Sequence, residues 1–146
     1  MAVSKVPTDP NMTREVRTFL DDVSRQVDGI TTATISAAGL TQTDFLSGGI
    51  KTPLAQDYRV VEKMPFAATL TGFTAKTSSG TLTATLKINT TAVTSGAINV
   101  TSTQGSVTPT AANVMAADDA LVITLSSVSS AVDLSFTVKY TKTLES

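Results

Sequence analysis

The 146-residue sequence contains no histidine, no cysteine and no tryptophan. Each absence removes a class of chemistry. Without cysteine there are no disulfides, no thiolate nucleophile and no Cys-ligated zinc; without histidine, the His-based catalytic triads and the commonest metal ligand go too. Charge is sparse as well. Asp, Glu, Lys and Arg make up 16% of the chain and the net charge is −1. Because the Lys and Arg residues are scattered, no basic stripe follows a phosphate backbone, and nucleic acid is not an expected partner. No run approaches the roughly 18 apolar residues of a membrane span, so no membrane insertion is expected. The opening stretch MAVSKVPTDPNMTREV lacks the continuous apolar core of a secretory leader, which implies synthesis and retention in the cytoplasm of the producing cell.

What the chain has in quantity is threonine in alternation. In GTLTATLKIN (80–89), Thr81, Thr83 and Thr85 alternate with Leu82, Ala84 and Leu86. Period two is the period of a strand, so one face is apolar and the other hydroxylated. Threonine is β-branched and favours strands, and its hydroxyl keeps an outer face wet without adding charge.

The N-terminal part reads differently. Pro7 and Pro10 remove two backbone donors and bias their predecessors toward extended conformations, so residues 1–12 read as an arm. Thr13 is a suitable N-cap, Glu15 a favourable first-turn acid and Gly29 a stop, which predicts a helix over 14–28. Val16, Phe19, Leu20, Val23 and Val27 fall at spacings of three and four and form one apolar stripe. Arg14, Arg17, Asp21, Asp22 and Arg25 occupy the other side. A helix of about four turns is marginal alone in water, so the stripe needs a partner surface. Those five residues are the expected oligomer and attachment interface.

From Ile30 onward the signals are β. ITTATISAAG alternates weakly, and TQTDFLSGGIKTPLAQD, with Gly48, Gly49 and Pro53, reads as a loop or an irregular edge. YRVVEKMPFAATLTGFTAKT reads as two strands broken near Pro65, with a bulge or a close-approach site at Gly72. The Thr-rich connection over 89–109 holds a short strand around AINV, AANVMA adds another, and ADDA (117–120) is a turn before LVITLSS. In VDLSFTVKYTK, Leu134, Phe136, Val138 and Tyr140 point one way and Ser135, Thr137, Lys139 and Thr141 the other. Short strands with turn signals every eight to twelve residues, and no helices between them, predict an antiparallel β-sandwich of the jelly-roll kind. The expected division is an attachment arm and helix over 1–29 and a sandwich domain over 30–146.

Candidates for catalysis are few. Asp118-Asp119 and Asp21-Asp22 are adjacent pairs; neighbours in a strand or helix diverge, so neither presents two carboxylates to one bond. No oxygen-rich run suits calcium, and SGGIKT lacks the first glycine and the spacing of a phosphate loop. No catalytic residue, metal ligand or cofactor is expected, and the chain is not expected to be an enzyme. Of the aromatic residues, Phe45 and Tyr58 lie in or beside the irregular segment; with Asp57 they are the candidate ligand-facing group for a sugar.

DYRVVEKMPFAATLTGFTAKTSSGTLTATLKINTTAV (57–93), followed by VTPTAANVMAADDALVITLSSVSSAVDLSFTVKYTK (107–142), resembles a β-sandwich module of tailed-phage virion proteins found in fibres, spikes and decoration proteins. The shared features are Met64-Pro65-Phe66-Ala67, GTLTATLKIN, the AADDAL turn and the closing DLSFTVKY. VSKVPTDPNMTREVRTFLDDVSRQV is similar to the short N-terminal attachment segments of small phage structural proteins. The resemblance implies a non-enzymatic virion component, a homo-oligomer with three copies as the expected number. It would dock on capsid or tail proteins through its arm and helix and display the sandwich outward. The alternative expectation is a module that recognises a host-surface glycan.

Overall fold

The computed structural model describes residues 39–144, which contain β1 (Thr41–Ile50), β2 (Asp57–Val61), β3 (Ala68–Lys76), β4 (Ser79–Ile88), β5 (Thr91–Val100), β6 (Gly105–Val107), β7 (Val114–Met115), β8 (Leu121–Val132) and β9 (Leu134–Thr143). The pairing is nested: β1 with β9, β2 with β8, β3 with both β6 and β7, and β4 with β5, all antiparallel. Two further ladders, β3 with β9 and β4 with β8, gather these pairs into two sheets. Their orders are β1-β9-β3-β6, with β7 also on β3, and β2-β8-β4-β5. The two sheets pack as a β-sandwich.

Alternation along the strands decides which side faces the partner sheet. Leu134, Phe136, Val138 and Tyr140 are all buried, and the intervening Ser135 and Lys139 are exposed. On β4, Leu82, Ala84, Leu86 and Ile88 are buried, as the threonine alternation requires. One apolar cluster takes Leu70 and Phe73 from β3, Leu86 from β4 and Ile123 and Leu125 from β8. Burial of such side chains contributes about 1.5–3 kcal/mol each and is the main driving force for closing the sandwich.

The break near Pro65, the register shift between Leu70 and Gly72 and the turn before β8 are present as the sequence indicates. Two stretches differ. In the segment read as a loop or irregular edge, residues 51–56 are a loop, but 41–50 form a regular ten-residue edge strand, β1, whose register with β9 is unbroken from Thr41↔Thr143 to Ile50↔Leu134. Its glycine is explained across the ladder. Gly48 stands opposite Phe136, and a Cβ there would lie 2.6 Å from Phe136 Cζ, so the ring occupies the side that glycine leaves vacant. The strand expected around AINV is present but longer, the ten-residue β5, and β6 follows it in the same connection. The left-handed conformation of Ser95 (φ 57°) lets the Thr-Ser-Gly turn signal sit inside β5.

The sandwich unit runs over Thr41–Thr143. The expected helix over 14–28, its stripe Val16, Phe19, Leu20, Val23 and Val27, and the expected boundary at residue 29 lie outside the described residues.

Candidate functional site

The β1–β9 register assigns each residue of β1 to a face. Asp44, Leu46, Gly48 and Ile50 stand opposite the buried Tyr140, Val138, Phe136 and Leu134 and therefore face the core side. Thr43, Phe45 and Ser47 stand opposite Thr141, Lys139 and Thr137 and face outward. Phe45 is 65% exposed, an unusual position for a large aromatic ring. Its opposite number Lys139 is in turn opposite Gly72 on β3, where a Cβ would meet Lys139 Cβ at 3.4 Å. In the next row the hydroxyls of Ser47 and Thr137 are 3.0 Å apart. Beyond them a shallow groove of about 190 Å³ is lined by Ser47, Thr74, Lys76, Gln104 and Thr137 among others. This surface offers hydroxyls, an amide and an ammonium. Among the described residues that line the groove there is no carboxylate.

Asp57 belongs to the other sheet. It is opposite Thr124 on β8, accepts a hydrogen bond from the Thr124 hydroxyl and has Lys87 Nζ at 3.7 Å. An ion pair this exposed contributes only about 0–1 kcal/mol. Tyr58, one residue on, is opposite the buried Ile123 and packs against the core. Its hydroxyl accepts the backbone N–H of Leu54 at 2.9 Å and so fastens the β1–β2 connection. Phe45, Asp57 and Tyr58 therefore do not converge: one lies on the outer side of each sheet and the third turns inward.

Two polar clusters depend on contacts between residues far apart in the sequence. At one end of β9 the Lys142 ammonium sits 4.5 Å from the Phe66 ring centroid, and the Phe66 and Tyr140 centroids are 6.0 Å apart. Such a cation–π contact contributes about 0.5–1 kcal/mol at an exposed site. Burial pushes the Tyr140 phenol pKa above its usual value, reinforced by the negative charge of Asp44 and the hydrogen bond to it. The alternation of β9 shows Tyr140 pointing inward, but pairing it with Phe66 requires the β2–β3 loop to fold over, which no local signal announces.

The second cluster is the turn at Asp118-Asp119. Asn89 Nδ2 donates to Asp119 Oδ1 at 2.8 Å, the Ala116 N–H donates to Oδ2 at 2.8 Å, and the Ala120 N–H donates to Asn89 Oδ1 at 2.9 Å. The Asn89 hydrogen bond first, and that of Ala116 second, hold the Asp119 carboxyl below the usual carboxylate range, against a smaller opposing effect of desolvation. Asp118 is left-handed (φ 72°) and pairs with Lys63 at 3.1 Å. The two carboxylates serve a turn that ties β4 to β8. Among the described residues no three Asp or Glu side chains group closely enough to hold a metal ion.

No family model matches the chain, and no curated protein matches it.

Proposed function

We propose that the chain is a non-enzymatic structural protein of a tailed-phage virion, a fibre, spike or capsid-decorating subunit. Residues 1–29 dock it on other virion proteins, and the sandwich is displayed outward from a homo-oligomer of three copies. The observation that supports this most is the strand nest. Pairing first with last, second with next to last and so inward is what a long antiparallel hairpin gives when it is rolled into two sheets. That order favours the jelly roll, with β7 as a short additional strand, an architecture used by viral capsid and lectin domains. Fold alone does not carry function. The sequence resemblance over 57–142 supplies the choice of virion. Thr41, the first residue of β1, stands opposite Thr143, the last residue of β9.

A glycan-binding role centred on Phe45, Asp57 and Tyr58 draws no support from their separate positions. Light scattering on the full chain beside a chain beginning at Ile30 tests the assembly reading. An oligomer that dissociates on shortening supports it, and equal masses oppose it.

A further inference from the structure

We infer that the outer edge of β1 is a contact surface for the β1 edge of a second copy of this chain, paired antiparallel about a two-fold axis at Phe45. Among the described residues β1 is hydrogen-bonded to a strand on one side only, that of β9. The other sheet edges are guarded. β2 has five residues, a register shift and Arg59; β6 has three residues; and β5 is bridged at Thr94 by Ala111, with backbone hydrogen bonds at 2.9 and 3.0 Å. β1 has none of these devices. It is ten residues long, unbroken in register, and contains no proline, lysine or arginine. Unguarded edges of this kind pair with other extended chains.

One amide identifies which backbone groups point outward. The Phe45 N–H donates to the Oδ1 of its neighbour Asp44 at 2.8 Å, off the β9 ladder. Hydrogen-bonding direction alternates along a strand, so the amides and carbonyls of Thr43, Phe45 and Ser47 share the free side. The occupant follows from the residues about Phe45. A two-fold axis there sets Phe45 opposite Phe45, Thr43 opposite Ser47 and Thr41 opposite Gly49. The strand's one charge, Asp44, falls opposite Leu46 instead of its own copy, so no like charges meet across the seam. An aromatic pair and hydroxyl pairs are favourable cross-strand neighbours, and an isologous contact is the commonest way for copies of one chain to associate. On pairing, the Phe45 N–H exchanges the Asp44 carboxylate for the partner's Phe45 carbonyl. This contact is separate from the one assigned to the N-terminal helix and does not depend on the virion reading.

Because the chain has no cysteine, single cysteines report the contact cleanly. Full-length Phe45→Cys, Ser47→Cys and Lys139→Cys variants are oxidised mildly and run on non-reducing gels. Directly opposed residues lie within disulfide reach, so Phe45→Cys is expected to form dimers roughly tenfold faster than the other two. Mixing Thr43→Cys with Ser47→Cys is expected to give a disulfide that neither variant forms alone. Lys139→Cys, one strand further in on the same face, reports encounters made by any other contact. Equal rates for all three single variants, or no disulfide specific to the mixture, would overturn the inference.

Discussion

A Cβ on Gly80 would lie 2.2 Å from the carbonyl oxygen of Ser130 and 2.5 Å from the amide nitrogen of Ala131. The crowding has a cause in the β4–β8 ladder. Ser79, Thr81 and Thr83 are opposite Val132, Ser129 and Ser126, so two residues of β4 are answered by three of β8 at each step. The surplus is absorbed where Ser127 (φ 49°) and Ser130 (φ 50°) turn left-handed, and Gly80 (φ 70°) complies on the facing strand. Gly80→Ala is therefore expected to cost about 3 kcal/mol, combining a left-handed alanine with a collision against backbone that cannot rotate away. Gly49→Ala, whose nearest neighbour would be the Leu134 carbonyl at 3.5 Å, is the control. Denaturant unfolding should show a large fall in midpoint for the first and little change for the second.

Thr71 gives a prediction of opposite sign. Its hydroxyl is buried with no hydrogen-bond partner among the described residues, at the bulge between Leu70 and Gly72. Thr71→Val keeps the shape and removes an unsatisfied polar group, so it should stabilise the sandwich by about 1 kcal/mol. A thermal melt that falls instead would mean the hydroxyl has a partner, such as a buried water.

Asp119 makes part of the stability acid-sensitive. Its folded pKa is lowered, so the carboxylate's hydrogen bonds contribute fully above the unfolded value of about 3.9 and are lost as pH falls through the lower folded value. Asp119→Asn should be less stable than the parent near pH 6, with the difference closing as the pH approaches 2. Melting temperatures measured across that range check it, and a gap that does not change with pH would remove Asp119 from the account.

The regular strands were legible because their signal is local. β9 and β4 alternate cleanly, Pro65 interrupts, and Asp118-Asp119 marks a turn. β1 was not legible, because Gly48-Gly49 carries a loop signal and the reason it is a strand lies 88 residues away in Phe136. β5 was obscured similarly: Ser95 and Gly96 look like a turn until β4 is placed beside them. The scatter of Phe45, Asp57 and Tyr58 has the same origin. Neighbours in sequence receive their faces from register, and register is settled by partner strands. Edge exposure is a property of the whole sheet order, so no reading of TQTDFLSGGI alone could show that its outer side stays unpaired.

The account's central claim is that the chain assembles through the apolar stripe of its N-terminal segment. Light scattering on the full chain and on its Val23→Asp variant tests this most directly, because a charge in a buried stripe must either be desolvated or break the contact. The account predicts a parent mass of three copies, or of six where the β1 edges of two such assemblies pair, and a marked fall for the variant. Identical masses for the two, or a monomeric parent, would contradict it.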